Sequence, residues 1–242
     1  MFNSLQIIDR LEFIHSKDII YRDVKPENFL FGINDPNVLY IIDFRLCKKY
    51  RSSKTGKHLM PKLTGKFNGT LRYASPNAIK GKESNRRDDL ISFGYLLIFI
   101  YKKELQWQEI FKNLNKKNYL NYAFLKIHDS GRLFNNLPPE FKEYIKYCRN
   151  LKFEQDPDYE YLCSIFTRII SNNNFDYKKI SFSWLNNKNK KFFGIPIDNS
   201  RRKASPKSRL YKSIQELRTK RLNRESRNKS VEKYKQFGFN FK

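Results

Sequence analysis

The sequence predicts an α+β fold that is mostly α-helical, with a few short β-strands gathered around one polar loop. Three observations carry this. Apolar residues recur at helical spacing at the start of the chain and again from Asp88 onward. Between these stretches, two short apolar runs, Phe29-Leu30-Phe31 and Val38-Leu39-Tyr40-Ile41-Ile42, have strand character. Of the 242 residues, 39% are hydrophobic, enough for a proper core in one or two domains.

Taken in order, Leu5, Ile8, Leu11, Phe13 and Ile14 place a helix up to His15-Ser16-Lys17. Asp18-Ile19-Ile20-Tyr21 is a short apolar run. Arg22 to Asn28 is polar and contains Pro26, so it forms a loop. The two strands follow, with Gly32, Asn34, Asp35 and Pro36 supplying the turn between them. From Lys48 to about Asn68 the chain is rich in Lys, Ser, Thr and Gly, the composition of a long functional or mobile loop. Helices are then expected over Leu90–Tyr101, about Glu109–Leu125, Pro139–Asn150 and Tyr159–Ser171. Pro138-Pro139 and Asp156-Pro157-Asp158 mark helix starts. Phe182 and Trp184 are the last core anchors, and the composition changes beyond Asn186. The expected division is therefore a folded domain over 1–186 and a basic tail over 187–242.

The formal net charge of +25 predicts attraction to something acidic: nucleic acid, a tubulin-like surface, anionic lipid or acidic peptides. The abundance of Lys, Asn, Ile, Phe and Tyr also matches AT-rich coding, an alternative source of that charge. Cys47, Cys148 and Cys163 share no close spacing, and His15, His58 and His128 are scattered, so no zinc pattern exists. This cysteine usage fits a reducing compartment. The N-terminus lacks the features of a signal peptide. The most apolar stretch, Leu90–Tyr101, is too short to span a bilayer and reads as a buried helix, so no membrane insertion is expected.

The residues that carry chemistry are Tyr21-Arg22-Asp23-Val24-Lys25-Pro26-Glu27-Asn28, followed 20 residues after Asp23 by Asp43-Phe44-Arg45. They match the catalytic-loop pattern H-R-D-x-K-x-x-N and the D-F-G pattern of protein kinases. Phosphoryl transfer needs a carboxylate to accept the substrate hydroxyl's proton, which fits Asp23, and a cation near the moving phosphoryl group, which fits Lys25. It also needs hard oxygen ligands for Mg²⁺, which fits Asn28 and Asp43.

Further segments resemble the casein kinase 1 family of serine/threonine protein kinases: His15-Ser16-Lys17, Phe29-Leu30, Tyr40-Ile41-Ile42-Asp43-Phe44, Lys48-Lys49-Tyr50-Arg51, Leu63-Thr64-Gly65, Gly69-Thr70-Leu71-Arg72-Tyr73-Ala74-Ser75, Arg86-Arg87-Asp88-Asp89-Leu90, Trp107-Gln108 and Asp156-Pro157-Asp158-Tyr159. The resemblance covers about residues 4–185. It implies the C-terminal lobe of a kinase that uses ATP and Mg²⁺ to phosphorylate protein Ser or Thr. By the same resemblance Thr70 contacts the catalytic aspartate. Arg72 belongs to an anion pocket that favours acidic or already phosphorylated substrates, a task suited to a guanidinium. Lys116 and Lys117 are nearby candidates for the same pocket. Asp89 holds the backbone of the catalytic loop, and Arg22 is likewise structural.

The sequence departs from the family at Tyr21, which replaces His, and at Arg45, which replaces Gly and is expected to adopt its backbone angles at a cost. No G-x-G-x-x-G string occurs. The N-terminal lobe, with its phosphate loop, strand lysine and helix glutamate, has no counterpart. The expectation is a fragment of a working kinase, nearly inactive alone. The alternatives are a kinase-like scaffold without catalysis, or a basic module that binds nucleic acid or microtubules. From Arg201 to Lys235 there are 14 basic and 3 acidic residues, and Leu210, Ile214, Leu217, Leu222 and Val231 are too sparse for a core. That tail is expected to be disordered or a solvated helix. Arg201 to Arg209 reads as a nuclear localisation signal or phosphate-binding arm, with Ser205 before Pro206 a phosphorylation candidate. The expected protein is a monomer in the cytoplasm, the nucleus or both.

Overall fold

The computed structural model describes residues 2–32, 38–63, 65–108, 119–128 and 130–172. Among them the fold is mostly helical with four short strands, the expected α+β class. Helix α1 (Phe2–His15) leads into strand β1 (Ile19–Ile20). A single 3-10 turn, Pro26–Asn28, precedes β2 (Phe29–Phe31), and β3 (Leu39–Ile41) and β4 (Lys48–Lys49) follow. The remaining elements are helices: α2 (Pro76–Ile79), α3 (Arg86–Lys102), α4 (Tyr119–His128), α5 (Ser130–Leu133), α6 (Pro139–Asn150) and α7 (Tyr159–Asn172).

The two sheets are two-stranded and antiparallel. In one, β2 pairs with β3 with Leu30 opposite Tyr40; in the other, β1 pairs with β4 with Ile20 opposite Lys48. The second pairing differs from the expectation that Lys48 opens a long loop. Two lysines show no apolar alternation, and the strand forms because its backbone completes the bonding of β1. Arg51 and His58 form an isolated bridge a little further on.

Helix α3 is the core. Its start is fixed by a capping box, in which Asn85 accepts from the first turn and Asp88 accepts from the Asn85 N–H at 2.8 Å. Residues Leu90 to Ile98 are buried on all faces, as a helix at the centre of a bundle must be. Ile100 and Tyr101, included in the same apolar run, are exposed, as is Phe13 of α1. Helix α6 packs against α3, α7 against both α1 and α6, and α2 against α4. Close approach of α3 and α6 requires Gly94, because a Cβ there would lie 2.4 Å from Ile145 Cδ1 and 3.0 Å from the Tyr144 ring. Phe93, Tyr144 and Phe166 meet at that junction.

Helix α6 begins at Pro139 as expected. Helix α7 begins one residue after Asp158, whose carboxylate accepts from the Tyr161 N–H at 2.8 Å. Among the described residues no helix is long and apolar enough to cross a membrane. The turn residues Asn34, Asp35 and Pro36, the first part of the helix expected near Glu109, Lys116 and Lys117, Phe182 and Trp184, and the basic tail with Ser205 lie outside the described residues.

Candidate active site

The polar loop Arg22–Asn28 is anchored from below by α3. Asp89, buried in the first turn of that helix, accepts hydrogen bonds from the Tyr21 and Arg22 N–H groups, each at 2.7 Å. The same carboxylate meets His15 Nε2 at 2.8 Å, and the other ring nitrogen of His15 lies 2.6 Å from the Tyr159 hydroxyl. With Nε2 donating to Asp89, the Tyr159 hydroxyl can donate to Nδ1, so both ring nitrogens of His15 have partners. One carboxylate therefore ties α1, the loop and, through His15, α7 to the core helix. Arg22 has φ +69°, a left-handed angle that costs about 1–3 kcal/mol in a non-glycine residue and persists only where its surroundings over-determine it. Its guanidinium Nε donates to the Leu46 carbonyl.

Asp23 sits at the loop's centre and is only 5% exposed. Its carboxylate accepts from Thr70 Oγ1 at 2.8 Å and from Asn28 Nδ2 at 3.2 Å, and pairs with Lys25 Nζ at 2.7 Å. Asn28 also donates to the Asp23 backbone carbonyl at 2.9 Å. Lys25 is extended because proline follows it, and Pro26 then opens the 3-10 turn that buries Asn28. Gly69 makes the Thr70 contact possible. Its φ is +112°, and a Cβ there would stand 2.7 Å from the Arg22 carbonyl oxygen.

Asp43 is brought alongside by the hairpin. The Ile42 N–H donates to the Asn28 carbonyl at 3.0 Å, which places Asp43 next in line after that link. Asp43 has the left-handed φ of +63° and Arg45 does not. The strain expected at Arg45 is thus absent: the unusual backbone angle in this turn belongs to the aspartate. Both oxygens of Asp43 are taken by Arg45, with Nε donating to Oδ1 at 2.8 Å and Nη2 to Oδ2 at 2.7 Å. These bonds hold the Asp43 carboxyl well below its ordinary range, at about 2. The charge of Lys25 also bears on Asp43, and that of Asp23 on Arg45.

Asp23, Lys25, Asn28 and Thr70 are therefore in direct contact, with Arg22 and Asp89 supporting them from behind. Asp43 adjoins the group through backbone and meets Arg45. Arg72 lies apart on the same segment as Thr70; it is exposed, with its guanidinium 5.6 Å from the Phe99 ring centroid.

Tyr21, singled out in the sequence only as a replacement for His, and several residues given no individual role there have structural work to do. Tyr21, the replacement for His, is buried and donates its hydroxyl to the Ile42 carbonyl while its ring meets Phe44 edge-on at 5.8 Å. Burial pushes its phenol pKa far up. Ser75 caps α2 and donates to the buried Asp88 at 2.6 Å, fastening the segment after Thr70 to α3. Desolvation raises the Asp88 carboxyl, and the Ser75 bond opposes that rise. Arg86 reaches Asp156 and the Glu154 carbonyl, and Arg87 the Leu151 carbonyl at 2.7 Å.

The least expected is Lys126 of α4, 1% exposed. Its ammonium donates to the carbonyls of Leu71, Arg72 and Ala74 at 2.9, 3.1 and 2.8 Å, over the Trp107 and Tyr95 rings. Trp107 Nε1 donates to the Arg72 carbonyl as well. Burial pulls the ammonium's pKa down, while the carbonyls and rings favour its charged form. Its signal in the sequence is faint: it is the lone lysine in an otherwise apolar and neutral helix.

Cys47 faces the loop, with Sγ 3.6 Å from the Tyr21 carbonyl oxygen. Desolvation pushes its thiol up to about 11. Alkylation of Cys47 by iodoacetamide at neutral pH is therefore expected to be on the order of 100-fold slower than that of a free cysteine, because only the thiolate reacts. Peptide-resolved mass spectrometry should show its rate still rising with pH beyond 9; a plateau by pH 9 would mean the thiol is not held up.

Compared with known protein families, residues 2–163 match the one described as Protein kinase domain. The chain belongs to that family. A kinase domain implies the use of ATP and Mg²⁺ in general terms. Among the described residues no group of three or more His, Cys, Asp or Glu side chains is gathered for a metal. Mg²⁺ ordinarily takes one or two protein ligands beside phosphate and water oxygens. The carboxylate of Asp43 and the amide oxygen of Asn28 have the right chemistry for that, with Arg45 standing on the first of them.

Proposed function

We propose that the chain is the C-terminal lobe of a serine/threonine protein kinase of the casein kinase 1 type, which transfers the ATP γ-phosphoryl group to protein Ser or Thr. The observation that supports this most is the Asp23 carboxylate, held between Thr70 Oγ1 at 2.8 Å and Lys25 Nζ at 2.7 Å. A carboxylate so oriented accepts the proton of a substrate hydroxyl and aligns its oxygen for attack. Lys25 carries positive charge to the same place, where it offsets negative charge on the moving phosphoryl group. Asn28 and Asp43 are the residues that would hold Mg²⁺, whose contribution when bound is to neutralise charge on the phosphates. Thr70 links the substrate-facing segment to Asp23, and Arg22 and Asp89 keep the loop in register. Arg72 is exposed, and its guanidinium, lying against the Phe99 and Tyr73 rings, would face an acidic or phosphorylated substrate.

On this reading residues 1–186 form the kinase lobe and 187–242 the basic tail, which contacts nucleic acid or microtubules. The protein is a monomer of the cytoplasm, the nucleus or both. A C-terminal lobe is expected to be nearly inactive alone, so the test is transfer of label from γ-labelled ATP to an acidic, serine-rich protein by this chain fused to an N-terminal kinase lobe. Label on Ser or Thr that depends on Mg²⁺ and on Asp23 supports the reading. Absence of transfer, with nucleotide binding that ignores Asp43→Ala, would replace it with a scaffold without catalysis.

A further inference from the structure

The arginine in the Asp43-Phe44-Arg45 turn has a geometry of its own. Its guanidinium covers both Asp43 oxygens with two parallel bonds of 2.8 and 2.7 Å, and its backbone N–H points at Oδ1 from 3.3 Å. This is the forked arrangement that matches guanidinium to carboxylate. The pair is local, two residues apart, so it forms without any closure of distant parts of the chain. The two partners differ in exposure: the Asp43 side chain is 20% exposed and that of Arg45 86%. The aspartate is fixed by its left-handed backbone and by the Ile42–Asn28 link, whereas the arginine has solvent to turn into.

We propose that Arg45 is a resident cation that competes with a divalent metal ion for the Asp43 carboxylate. The proposal rests on the reading of Asp43 as a metal ligand. A metal ion can take Asp43 only by displacing the guanidinium, so the free-energy difference between the two pairings sets the metal affinity. Exposed ion pairs contribute little, and a forked one sits at the upper end of the range, so the competition weakens metal binding about three- to fivefold. The consequence is a site tuned to demand more metal than one with glycine at position 45.

Mn²⁺ alone is the probe, counted as free ion by electron paramagnetic resonance in the absence of nucleotide. The unsubstituted protein, Arg45→Gly, Arg45→Gln and the double variant Asp43→Asn/Arg45→Gln are compared. The Gln variant keeps side-chain bulk and removes the charge, which separates competition from any change in backbone freedom. Tighter binding by about three- to fivefold in both single variants, lost in the double variant, is the expected result. Equal, Asp43-dependent affinity in all three Asp43-containing proteins overturns the competition and leaves Asp43 a ligand. Binding that ignores Asp43 in every variant overturns both the competition and the reading beneath it.

Discussion

Fused to an N-terminal kinase lobe, an Asp23→Ala variant is expected to transfer phosphoryl groups about 10²–10⁴-fold more slowly than the unsubstituted protein in the same fusion, the range for loss of a positioned general base. The geometry sets that expectation. Thr70, Asn28 and Lys25 all converge on this carboxylate, and no other described acid is placed by the same contacts. Nucleotide affinity should change far less, because the proposed metal ligands are Asn28 and Asp43. Removing a buried carboxylate also leaves Lys25 and Asn28 short of a partner, so Asp23→Asn is the companion variant. It keeps the shape and can still accept from Thr70, but it cannot take the substrate's proton. Both variants should show low kcat with folded circular dichroism spectra. A kcat within a few-fold of the unsubstituted protein for the Asn variant would remove Asp23 from the chemistry.

The second large effect is expected far from the loop. Lys126→Met should lower stability by about 2–4 kcal/mol. Methionine retains most of the volume, so little cavity term enters. The loss comes from the carbonyls. Trp107 still serves that of Arg72, but those of Leu71 and Ala74 lose their donor. A buried acceptor left unpaired costs about 1–3 kcal/mol. Against this stands relief from burying an ammonium, which makes replacement of some buried charges nearly neutral. Here the acceptors are backbone groups that the substitution leaves in place, so the penalty wins. The urea midpoint is the measurement, and an unshifted midpoint would mean water replaces the ammonium without loss. Because Leu71, Arg72 and Ala74 follow Thr70 directly, the same variant should also raise KM for protein substrate more than it alters nucleotide binding.

Much of this molecule was legible from its residues. The first helix, the β2–β3 hairpin, and the helices starting at Pro139 and after Asp158 announce themselves by period and punctuation. The strand at Lys48 does not, since its pairing is a backbone affair. Asp23, Lys25 and Asn28 were readable because their chemistry demands those residue types close together, and Thr70 only through the resemblance to casein kinase 1. Lys126, Ser75 and Arg86 were not, because hydrogen bonds to distant carbonyls and carboxylates leave no local pattern. Arg45 was noticed for the wrong reason. Its replacement of glycine suggested a bent backbone, whereas its effect is electrostatic and falls on Asp43.

Asp89 has one more consequence. A polar surface loop ordinarily opens to water many times before the whole protein does. The amides of Tyr21 and Arg22 are fastened to a carboxylate that is itself buried in the first turn of the core helix. Releasing them strips a buried carboxylate of two donors, a cost that an ordinary surface loop does not meet. Their hydrogens should therefore exchange with solvent more slowly than those of the exposed loop residues around them.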